Sequence, residues 1–466
     1  DAVEDDGARA LYDACHIPYD KISLLSALRE FRTVEIKADN GAPPVNLIYN
    51  MRRDNDCKWL FIAHGEYSCQ STIFWDNLKA SNPREDADVQ SVNIIVDGEY
   101  KPVLYDTLNG EIYDIPYTCK NGKTVIKRDI YINDSVLLKL TENVNGAVTE
   151  EKPACCCKPS KTIRFMDRVS YERCEPNALL LDRAEYSLNG EPFNAEEEIL
   201  VLDNLCRERM GWPLRGDQFA QPWVVEEAPI VNYITLKMTV NSEIDVTGAS
   251  LAIEDAETLE ITFNGGRVPS DVTGWYVDKA IKTVALPPIH TGRNELIVKV
   301  PFGKRTNTEW CYILGDFNVR NEGTFSAITA PTDKIGFAPL ASQGMPFYGG
   351  NIIYKTEIDT PDCTAVIHTK YYRGALVKVR IDGEEKGIIA YSPYTLTVDG
   401  LSKGRHTVEF VLFGTRINTF GGMHNVNKPH WVGADFWRTT GDAWCYEYQF
   451  KDTGILAGPI IEIYEK

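Results

Sequence analysis

The sequence has too little positive charge for a nucleic-acid-binding protein. Its 466 residues include 49 lysines and arginines against 67 aspartates and glutamates, which gives a net charge of −18. Proteins that bind a phosphate backbone concentrate basic residues, so we expect no nucleic-acid partner. The chain also lacks an apolar run near the ~18 residues that a membrane helix needs, and we therefore expect no membrane span.

Signature motifs of common enzyme classes are absent as well. The sequence contains no phosphate-binding loop, no GxGxxG, no GxSxG and no HExxH. Its 12 cysteines include no CxxC pair and no Cys/His spacing of the zinc type. Several of them, such as Cys311 and Cys445, lie in apolar strand patterns where a free thiol packs as a small hydrophobic group. Unpaired cysteine favours a reducing compartment, so we expect a cytoplasmic protein, with secretion as the second choice.

The main positive feature is a pattern that occurs twice in the second half of the chain. The first copy reads LEITFNGGRV and then WYVDKAIKTVALPPIHTGRNELIVKV; the second reads VKVRIDGEEKG and then YSPYTLTVDGLSKGRHTVEFVLF. Each copy has an Asx-Gly turn, at Asn264 or Asp382, and later a Gly-Arg turn, at Gly292 or Gly404. The spacing between copies is 118 residues at the first turn and 112 at the second, so six extra residues lie in the stretch that carries Trp275. A period above roughly 100 residues predicts duplicated domains and excludes a solenoid.

Alternating strand patterns predict a mainly β fold for most of the chain. Runs such as VNLIYNMRRD and CKWLFIAHG have period two and meet at turn signals, which is typical of antiparallel sandwiches. Two helices interrupt the pattern: Ser23–Phe31, with a serine cap, and Ala195–Gly211, with three glutamates in its first turn. We predict three antiparallel β-sandwich domains in series with a short N-terminal helical segment. The predicted segments are an exit segment of an upstream domain at 1–40, a sandwich at 41–160, a strand-helix linker and strap at 161–232, and sandwiches at 233–330 and 331–466.

One segment is dense in aromatic, histidine and asparagine side chains. It reads NTFGGMHNVNKPHWVGADFW and has no regular pattern, which in a compact domain indicates binding or docking. Aromatic rings supply a stacking face for sugar rings, while Asn and His supply hydrogen bonds to hydroxyls. The predicted carbohydrate-binding residues are Asn418, His424, His430, Trp431 and Trp437, together with Trp275, which follows a turn in the first copy.

Two other interpretations of this segment stay open. Its aromatic side chains could instead be buried in a seam against a neighbouring domain. Alternatively, its histidines could hold a metal ion, although the six-residue spacing of His424 and His430 suits no common ligand motif.

No catalytic pair is evident. Cleavage of a glycosidic bond usually needs two carboxylates roughly 5–10 Å apart, and such pairs meet in space without a fixed sequence spacing. We therefore predict no catalytic residue. The carboxylates on or near predicted strands are Glu309, Asp316, Glu357, Asp435 and Glu447.

Several segments resemble the β domains that follow the catalytic barrel in large bacterial glycoside hydrolases. YNMRRDNDCKWLFIAHG and VLYDTLNGEI resemble the sandwich after the barrel in α-L-rhamnosidase-type enzymes, and LEITFNGGRV to YILGDFNV resembles their galactose-binding-like jelly roll. GMPFYGGNIIYKTEI, FGTRINTFGGMHN and YEYQFKDTGILAGPIIEI are similar to sugar-binding sandwiches of these enzymes and of the β-galactosidase-like group. The resemblance covers most of residues 40–466 and implies jelly-roll, galactose-binding-like domains.

The resemblance also implies a function. In such enzymes the barrel carries the catalytic glutamates and lies N-terminal to the sandwiches, and no position here matches the barrel motifs. Members of the group also hold a metal ion with loops of these domains; we expect no cofactor other than a structural calcium, to which no residue is assigned. The chain starts at Asp1 without a leader, so we expect either processing or a piece of a longer protein.

We therefore interpret the chain as the non-catalytic, carbohydrate-binding region of a glycoside hydrolase that acts on plant or host glycans. Its expected partners are an oligosaccharide or glycan and an upstream catalytic domain. The alternative is a surface or adhesion protein whose tandem sandwiches bind protein or glycan without hydrolysis. A third reading is a self-sufficient lyase or hydrolase with its site between two sandwiches.

Overall fold

The computed structural model describes residues 20–64, 89–108, 110–131, 134–142, 158–215, 225–306, 308–426, 441 and 444–465. The described residues form two compact units, one before residue 143 and one after residue 157. Antiparallel sheet dominates both units, which confirms the predicted mainly β fold class. No helix in the described ranges is long and apolar enough to cross a membrane.

The N-terminal unit contains two antiparallel sheets. Their strands are β1 (Val34–Ala38), β2 (Leu47–Arg53), β3 (Cys57–His64), β4 (Val89–Asp97), β5 (Tyr100–Tyr105), β6 (Ile112–Asp114), β7 (Thr118–Lys120), β8 (Lys123–Tyr131) and β9 (Ser135–Glu142). One sheet has the order β1-β4-β8-β7 and the other β2-β3-β9-β5-β6. Strands β2 and β3 form the hairpin that the period-two pattern predicts.

Alternation of side chains places one face of each of these strands in a shared core. Leu60 and Ile62 of β3 and Leu138 of β9 are fully buried, whereas Phe61, between the first two, is 41% exposed. Successive side chains of a strand point to opposite faces, so the buried set faces the other sheet. Burial of these aliphatic side chains, at ~25 cal/mol per Å² of apolar area, is the main stabilising contribution of this unit.

The C-terminal unit contains two further sandwiches, which we call sandwich A and sandwich B. The strands of sandwich A are β12 (Asn177–Leu181), β13 (Arg183–Leu188), β14 (Asn194–Glu198), β15 (Asn232–Ser242), β16 (Ser250–Glu254), β17 (Glu260–Phe263), β18 (Gly266–Val268), β19 (Val272–Tyr276), β20 (Asp278–Ala285), β21 (Gly292–Phe302), β22 (Cys311–Gly315), β23 (Asn318–Glu322) and β24 (Phe325–Thr329). One sheet has the order β12-β22-β16-β20-β19. The other has the order β14-β13-β15-β21-β17-β18, with β24 joined to β15 and paired with β23.

Sandwich B is assembled from two stretches of chain. Its strands are β10 (Lys161–Arg164), β11 (Val169–Arg173), β25 (Lys334–Ile335), β26 (Ile352–Thr360), β27 (Cys363–His368), β28 (Tyr372–Arg373), β29 (Val377–Ile381), β30 (Glu384–Ile389), β31 (Thr395–Leu401), β32 (Gly404–Leu412), β33 (Gly454–Ile455) and β34 (Ile460–Glu465). The sheets have the orders β10-β34-β27-β31 and β25-β11-β26-β32-β29-β30, and β28 pairs with β33. Strands β10 and β11, from the segment predicted as linker and strap, thus belong to sandwich B. Sandwich A is an insertion between β11 and β25.

The two copies of the sequence repeat occupy equivalent places in sandwiches A and B. Hairpin β17–β18 lies beside β21, and hairpin β29–β30 lies beside β32. The turn residues Asn264 and Asp382 have φ values of 50° and 54°, which Asx residues tolerate better than most. The six extra residues of the first copy are accommodated by β19, an additional edge strand; residues 383–404 of the second copy contain no equivalent of it.

In each repeat, a hydrogen bond between two side chains joins the turn to the neighbouring strand; we call this bond the clamp. In sandwich A, Asn264 Nδ2 donates to Asn294 Oδ1 at 2.8 Å. In sandwich B, Asp382 Oδ2 lies 2.6 Å from Nδ1 of His406. Because the residues of each pair are equivalent in the repeat, the same clamp is neutral in one sandwich and ionisable in the other.

The structure corrects both predicted helix starts. The first helix, α1, covers Lys21–Ala27 and is followed by a 3₁₀ turn; its cap is Asp20, whose carboxylate accepts from two backbone N–H groups, and not Ser23. The second, α2, covers Ile199–Arg209. The glutamates predicted to open α2 lie in β14, because they pair with β13. A third helix, α3, covers Ile417–Phe420.

We expect the double variant Asp382→Asn, His406→Asn to fold and to lose part of the pH dependence of stability. The Asp382 carboxylate and the Ser402 carbonyl both face the imidazole, which raises the pKa of His406. A group with a raised folded pKa adds stability below its ordinary pKa and loses it as pH rises through the folded value. From about pH 6 to about pH 8, the free energy of unfolding of the wild type should therefore fall relative to the variant. Urea unfolding followed by tryptophan fluorescence measures this difference.

His290→Asn, which removes an exposed histidine from sandwich A, controls for the loss of a histidine as such. Parallel pH profiles for the wild type and the double variant would contradict the assignment of the clamp.

Candidate functional site

A groove made of two adjoining cavities lies in sandwich A, beside the segments that connect it to sandwich B. The cavities have volumes of about 570 and about 620 Å³ and share Glu175, Pro176, Gly248 and Gly315. The first two residues belong to the short connection between β11 and β12, and Gly315 ends β22. Cavities of this size accommodate small organic ligands.

Trp275 forms the aromatic wall of one cavity. It lies on β19, at the edge of its sheet, where the pairing with β20 shifts register on both sides of Gly274–Trp275. Such an irregularity re-aims side chains. The indole of Trp275 is 55% exposed, whereas the adjacent Tyr276 is buried with its ring 5.4 Å from that of Tyr312. Trp275 is therefore accessible from solvent, and its position in the groove is fixed by the packing of Tyr276; its predicted role in carbohydrate binding stays a prediction.

An ion pair forms the polar floor between the two cavities. Arg416 donates twice to the Glu175 carboxylate, with Nη2 2.7 Å from Oε2 and a second bond from Nη1 to Oε1. The guanidinium also lies 5.8 Å from the centre of the Tyr276 ring. Gly350 permits this arrangement, because a Cβ there would overlap the Glu175 side chain. Bidentate pairs of this kind hold both partners in a defined geometry.

The second cavity carries another arginine–carboxylate pair. Arg173 Nη2 lies 2.5 Å from Asp316 Oδ1, and Arg173 Nη1 donates to the Phe317 carbonyl at 3.0 Å. The Arg173 side chain is 9% exposed and the Asp316 side chain 87% exposed. The carboxylate is thus accessible from solvent, while the buried arginine holds it in place. Tyr171 and Asp333 complete the wall on this side.

Two of the predicted site residues are buried away from this groove. Asn418, at the start of α3, is fully buried, and its amide both donates to and accepts from the backbone of Lys451. His424 is 3% exposed and contacts Asp182. Phe420 packs against Tyr276 and Tyr312 of sandwich A. The described part of the aromatic segment therefore forms a seam with sandwich A, as one of the sequence interpretations expected.

His424 belongs to a buried polar network. Its Nε2 lies 3.0 Å from Asp182 Oδ2, its Nδ1 lies 2.9 Å from the Cys445 carbonyl, and Tyr448 donates to the other oxygen of Asp182 at 2.7 Å. Burial alone would lower the pKa of His424, but the hydrogen bond and charge of Asp182 outweigh it and raise the pKa. Each ring nitrogen of His424 faces a hydrogen-bond acceptor, and only the imidazolium form can donate a hydrogen bond from both nitrogens.

Glu198 lies near this network and caps α2. Its Oε2 accepts from the Val201 N–H at 2.9 Å, and its Oε1 accepts from the indole N–H of Trp310 at 2.6 Å. Burial raises the pKa of Glu198 to about 7. The side chain is 2% exposed, so this carboxylate has a structural environment and no open path to a substrate in the described part of the chain.

The remaining predicted site residues, His430, Trp431 and Trp437, lie outside the described residues, and their role stays a prediction. The same holds for the structural calcium: among the residues that the structure describes, no group of three or more His, Cys, Asp or Glu side chains is placed to hold a metal ion. Sequence reasoning missed Glu175, Arg173 and Arg416. Glu175 and Arg416 are 241 residues apart and carry no shared motif, so no sequence signal links them.

We expect Glu198→Gln to flatten the pH dependence of stability. Because burial raises the pKa of Glu198 from 4.5 to about 7, the folded protein keeps a proton that the unfolded chain releases in this range. The free energy of unfolding of the wild type therefore falls as pH rises between these values, and glutamine has no such proton. Relative to the wild type, the variant should gain about 2 kcal/mol between about pH 5 and about pH 7. Urea titrations at the two pH values give this difference.

Glu196→Gln, at an exposed position of the same strand, serves as the matched control for loss of a carboxylate. A constant difference between wild type and Glu198→Gln across this range would show that Glu198 does not hold the proton.

No protein-family model and no curated protein sequence matches the chain. Among solved structures, a rhamnosidase from Novosphingobium sp. PP1Y aligns with 94% of this chain at 12% identity and a TM-score of 0.41. The chain spans 26% of the length of that protein. An α-L-rhamnosidase from Streptomyces avermitilis, complexed with L-rhamnose, aligns with 92% of this chain and 39% of its own, at 12% identity and a TM-score of 0.23. The α-xylosidase of Xanthomonas citri aligns with 57% of this chain and 29% of its own, at 9% identity and a TM-score of 0.16. At such scores the alignments do not assign the chain to the family of any of these enzymes.

Proposed function

We propose that the groove of sandwich A binds a carbohydrate and that the chain acts as a non-catalytic accessory region of a glycoside hydrolase. The observation that carries this proposal is the exposed indole of Trp275 beside the Arg416–Glu175 pair, in a groove of suitable size. A sugar ring has an apolar face that stacks on an aromatic ring, and hydroxyls at its rim that need donors and acceptors. The groove offers both within one cavity.

The charge of the groove favours a neutral sugar at this position. Glu175 is paired with Arg416, and Asp316 is paired with Arg173, so each positive group has a negative partner. Both pairs retain oxygens or N–H groups that can bond to hydroxyls, because a guanidinium has five donors and a carboxylate about four acceptor positions. A negatively charged ligand would have to displace a carboxylate from its arginine, and Asp333 adds a further negative charge to the wall.

The carboxylates in and near the groove are better suited to binding a sugar than to cleaving a glycosidic bond. Glycoside hydrolysis needs a proton-donating carboxyl group and a second carboxylate on opposite sides of the scissile bond. In the groove, Glu175 and Asp316 are each engaged by an arginine. The carboxyl group suited by its raised pKa to donate a proton, Glu198, is buried beneath Trp310. These features support an accessory role.

An exposed apolar helix supports the second part of the proposal, a partner domain. In and just after α1, Ile22 is 81% exposed, Leu25 56%, Leu28 58% and Phe31 71%. A short helix with its apolar side chains in solvent is stabilised when another surface covers them. An upstream catalytic domain is the partner that we propose for this segment.

We expect Trp275→Ala to weaken oligosaccharide binding by ~1–3 kcal/mol if the indole stacks on a sugar ring, a scale borrowed from aromatic stacking on bases. Trp275→Phe should recover part of the loss, because the smaller ring still stacks. A glycan array with the full chain selects the ligand, and isothermal titration calorimetry of the wild type and both variants measures the change.

The matched control is Phe193→Ala, which removes another partly exposed aromatic side chain of sandwich A outside the groove. Binding by Trp275→Ala that equals the wild type, with an unchanged melting temperature, would remove Trp275 from the site. Failure of the wild type to bind any glycan on the array would overturn the proposed function of the groove.

A further inference from the structure

A second surface, in the N-terminal unit, carries features of a binding site that the groove does not explain. It is the outward face of the five-stranded sheet β2-β3-β9-β5-β6, which we call the outer face. Strand positions alternate between the buried core and this face. With strands about 4.8 Å apart, the five strands span on the order of 19 Å.

One row of paired residues across the outer face is largely apolar. The strand register aligns Phe61, Leu137, Tyr105 and Ile112 on four successive strands. Phe61 is 41% exposed and Ile112 is 57% exposed. Outward positions of a sheet with one solvated face are usually polar, so a continuous apolar row there needs an explanation.

The neighbouring row combines an aromatic ring with positive charge. It aligns Arg52, Trp59, Lys139, Val103 and Asp114. The Trp59 ring lies 5.0 Å from that of Tyr105 in the apolar row, and Lys139 Nζ lies 5.8 Å from the centre of the Trp59 ring. The two rows therefore form one surface of aromatic rings with an ammonium group near its middle.

The charge of this surface is opposite to that of the whole protein. Among its described outward positions, the basic residues are Arg52, Lys101 and Lys139, and the acidic residue is Asp114, which pairs with Lys101 at 3.0 Å. Arg52 and Lys139 form no ion pair with a described acidic side chain. On a chain with a net charge of −18, two cations without counter-charges beside an edge-to-face pair of aromatic rings indicate a ligand that brings the negative charge.

We propose that the outer face binds an acidic oligosaccharide, with sugar rings stacked on Trp59 and its aromatic neighbours and a carboxylate held by Lys139 or Arg52. Rings with an apolar face and scattered acid groups match a surface of aromatic rings with few cations. This site is separate from the groove of sandwich A, and the proposal does not depend on that groove.

A protein partner and a single-stranded nucleic acid fit the outer face less well. Lysine is depleted at the centre of protein interfaces, where its desolvation is costly, yet Lys139 lies beside the Trp59 ring on the middle strand of this face. A nucleic acid carries one phosphate charge per nucleotide, and its binding needs many basic residues along the strand. Two unpaired cations on an acidic protein suffice only for a polymer of lower charge.

The test compares two charge-matched double variants of the full chain. Arg52→Gln, Lys139→Gln removes the unpaired cations of the outer face, and Lys120→Gln, Lys127→Gln removes two cations from the other sheet of the same unit. The probes are a xylohexaose with one glucuronate branch, the unbranched neutral xylohexaose, and a single-stranded oligothymidylate. Titrations are followed by calorimetry at low and high sodium chloride, and melting curves check that each variant is folded.

We expect the wild type to bind the glucuronate-bearing xylohexaose in preference to the neutral xylohexaose, and more weakly at high salt. The outer-face variant should lose about tenfold in affinity for the glucuronate-bearing xylohexaose, while the control variant stays near the wild type. Trp59→Phe should reduce binding to both sugars and keep the preference for the acidic one. Absence of binding to the glucuronate-bearing xylohexaose, equal losses in the two double variants, or a preference for the oligothymidylate would overturn the proposal. Because Trp275→Ala leaves the outer face unchanged, failure here is distinguishable from failure of the groove.

Discussion

The ion pair between Glu175 and Arg416 is the contact on which the groove depends. The chain passes from sandwich B to sandwich A in the connection from β11 to β12, which holds Glu175; Arg416 precedes α3, in the segment after β32 that packs against sandwich A. The pair joins these two segments, which are 241 residues apart in sequence. It also places its guanidinium over the Tyr276 ring, beside the strand that carries Trp275. A long-range pair of this kind fixes how two segments meet and so positions the wall of the groove.

Local features of the fold were predictable because their causes are local. Period-two patterns and Asx-Gly turns identify hairpins, and both repeat turns at Asn264 and Asp382 have the positive φ that these residues favour. The predicted helix α2 began too early because it included the glutamates of β14. Their pairing with β13 is a tertiary contact that outweighs helix propensity. Strands β10 and β11 were assigned to a linker for the same reason. Their partners, β34 and β26, lie well over 100 residues further along the chain.

Within the candidate site, the sequence indicated the position of a residue only where its immediate neighbours determine its exposure. Trp275 follows a turn in an alternating strand, which indicates exposure, and the structure places it in the groove. Asn418 and His424 looked equally suited to a sugar, but their polar atoms bond to Lys451, Cys445 and Asp182. Composition shows that a segment has hydrogen-bonding groups, and only the packing shows whether those groups remain available.

The repeat explains how recognition can be added to a sandwich without altering its core. Both copies keep the hairpin, the clamp and the long neighbouring strand, so the shared framework meets the demands of stability. The first copy differs by an extra edge strand, β19, and this strand carries Trp275. An edge strand has one free side, so it can be inserted without breaking existing pairs. The same reasoning applies to the outer face of the N-terminal unit: its inward positions supply the core, which leaves the outward positions free to carry aromatic rings and charge. In both places the backbone pairing is retained, and the exposed side chains are those that we propose to contact the ligand.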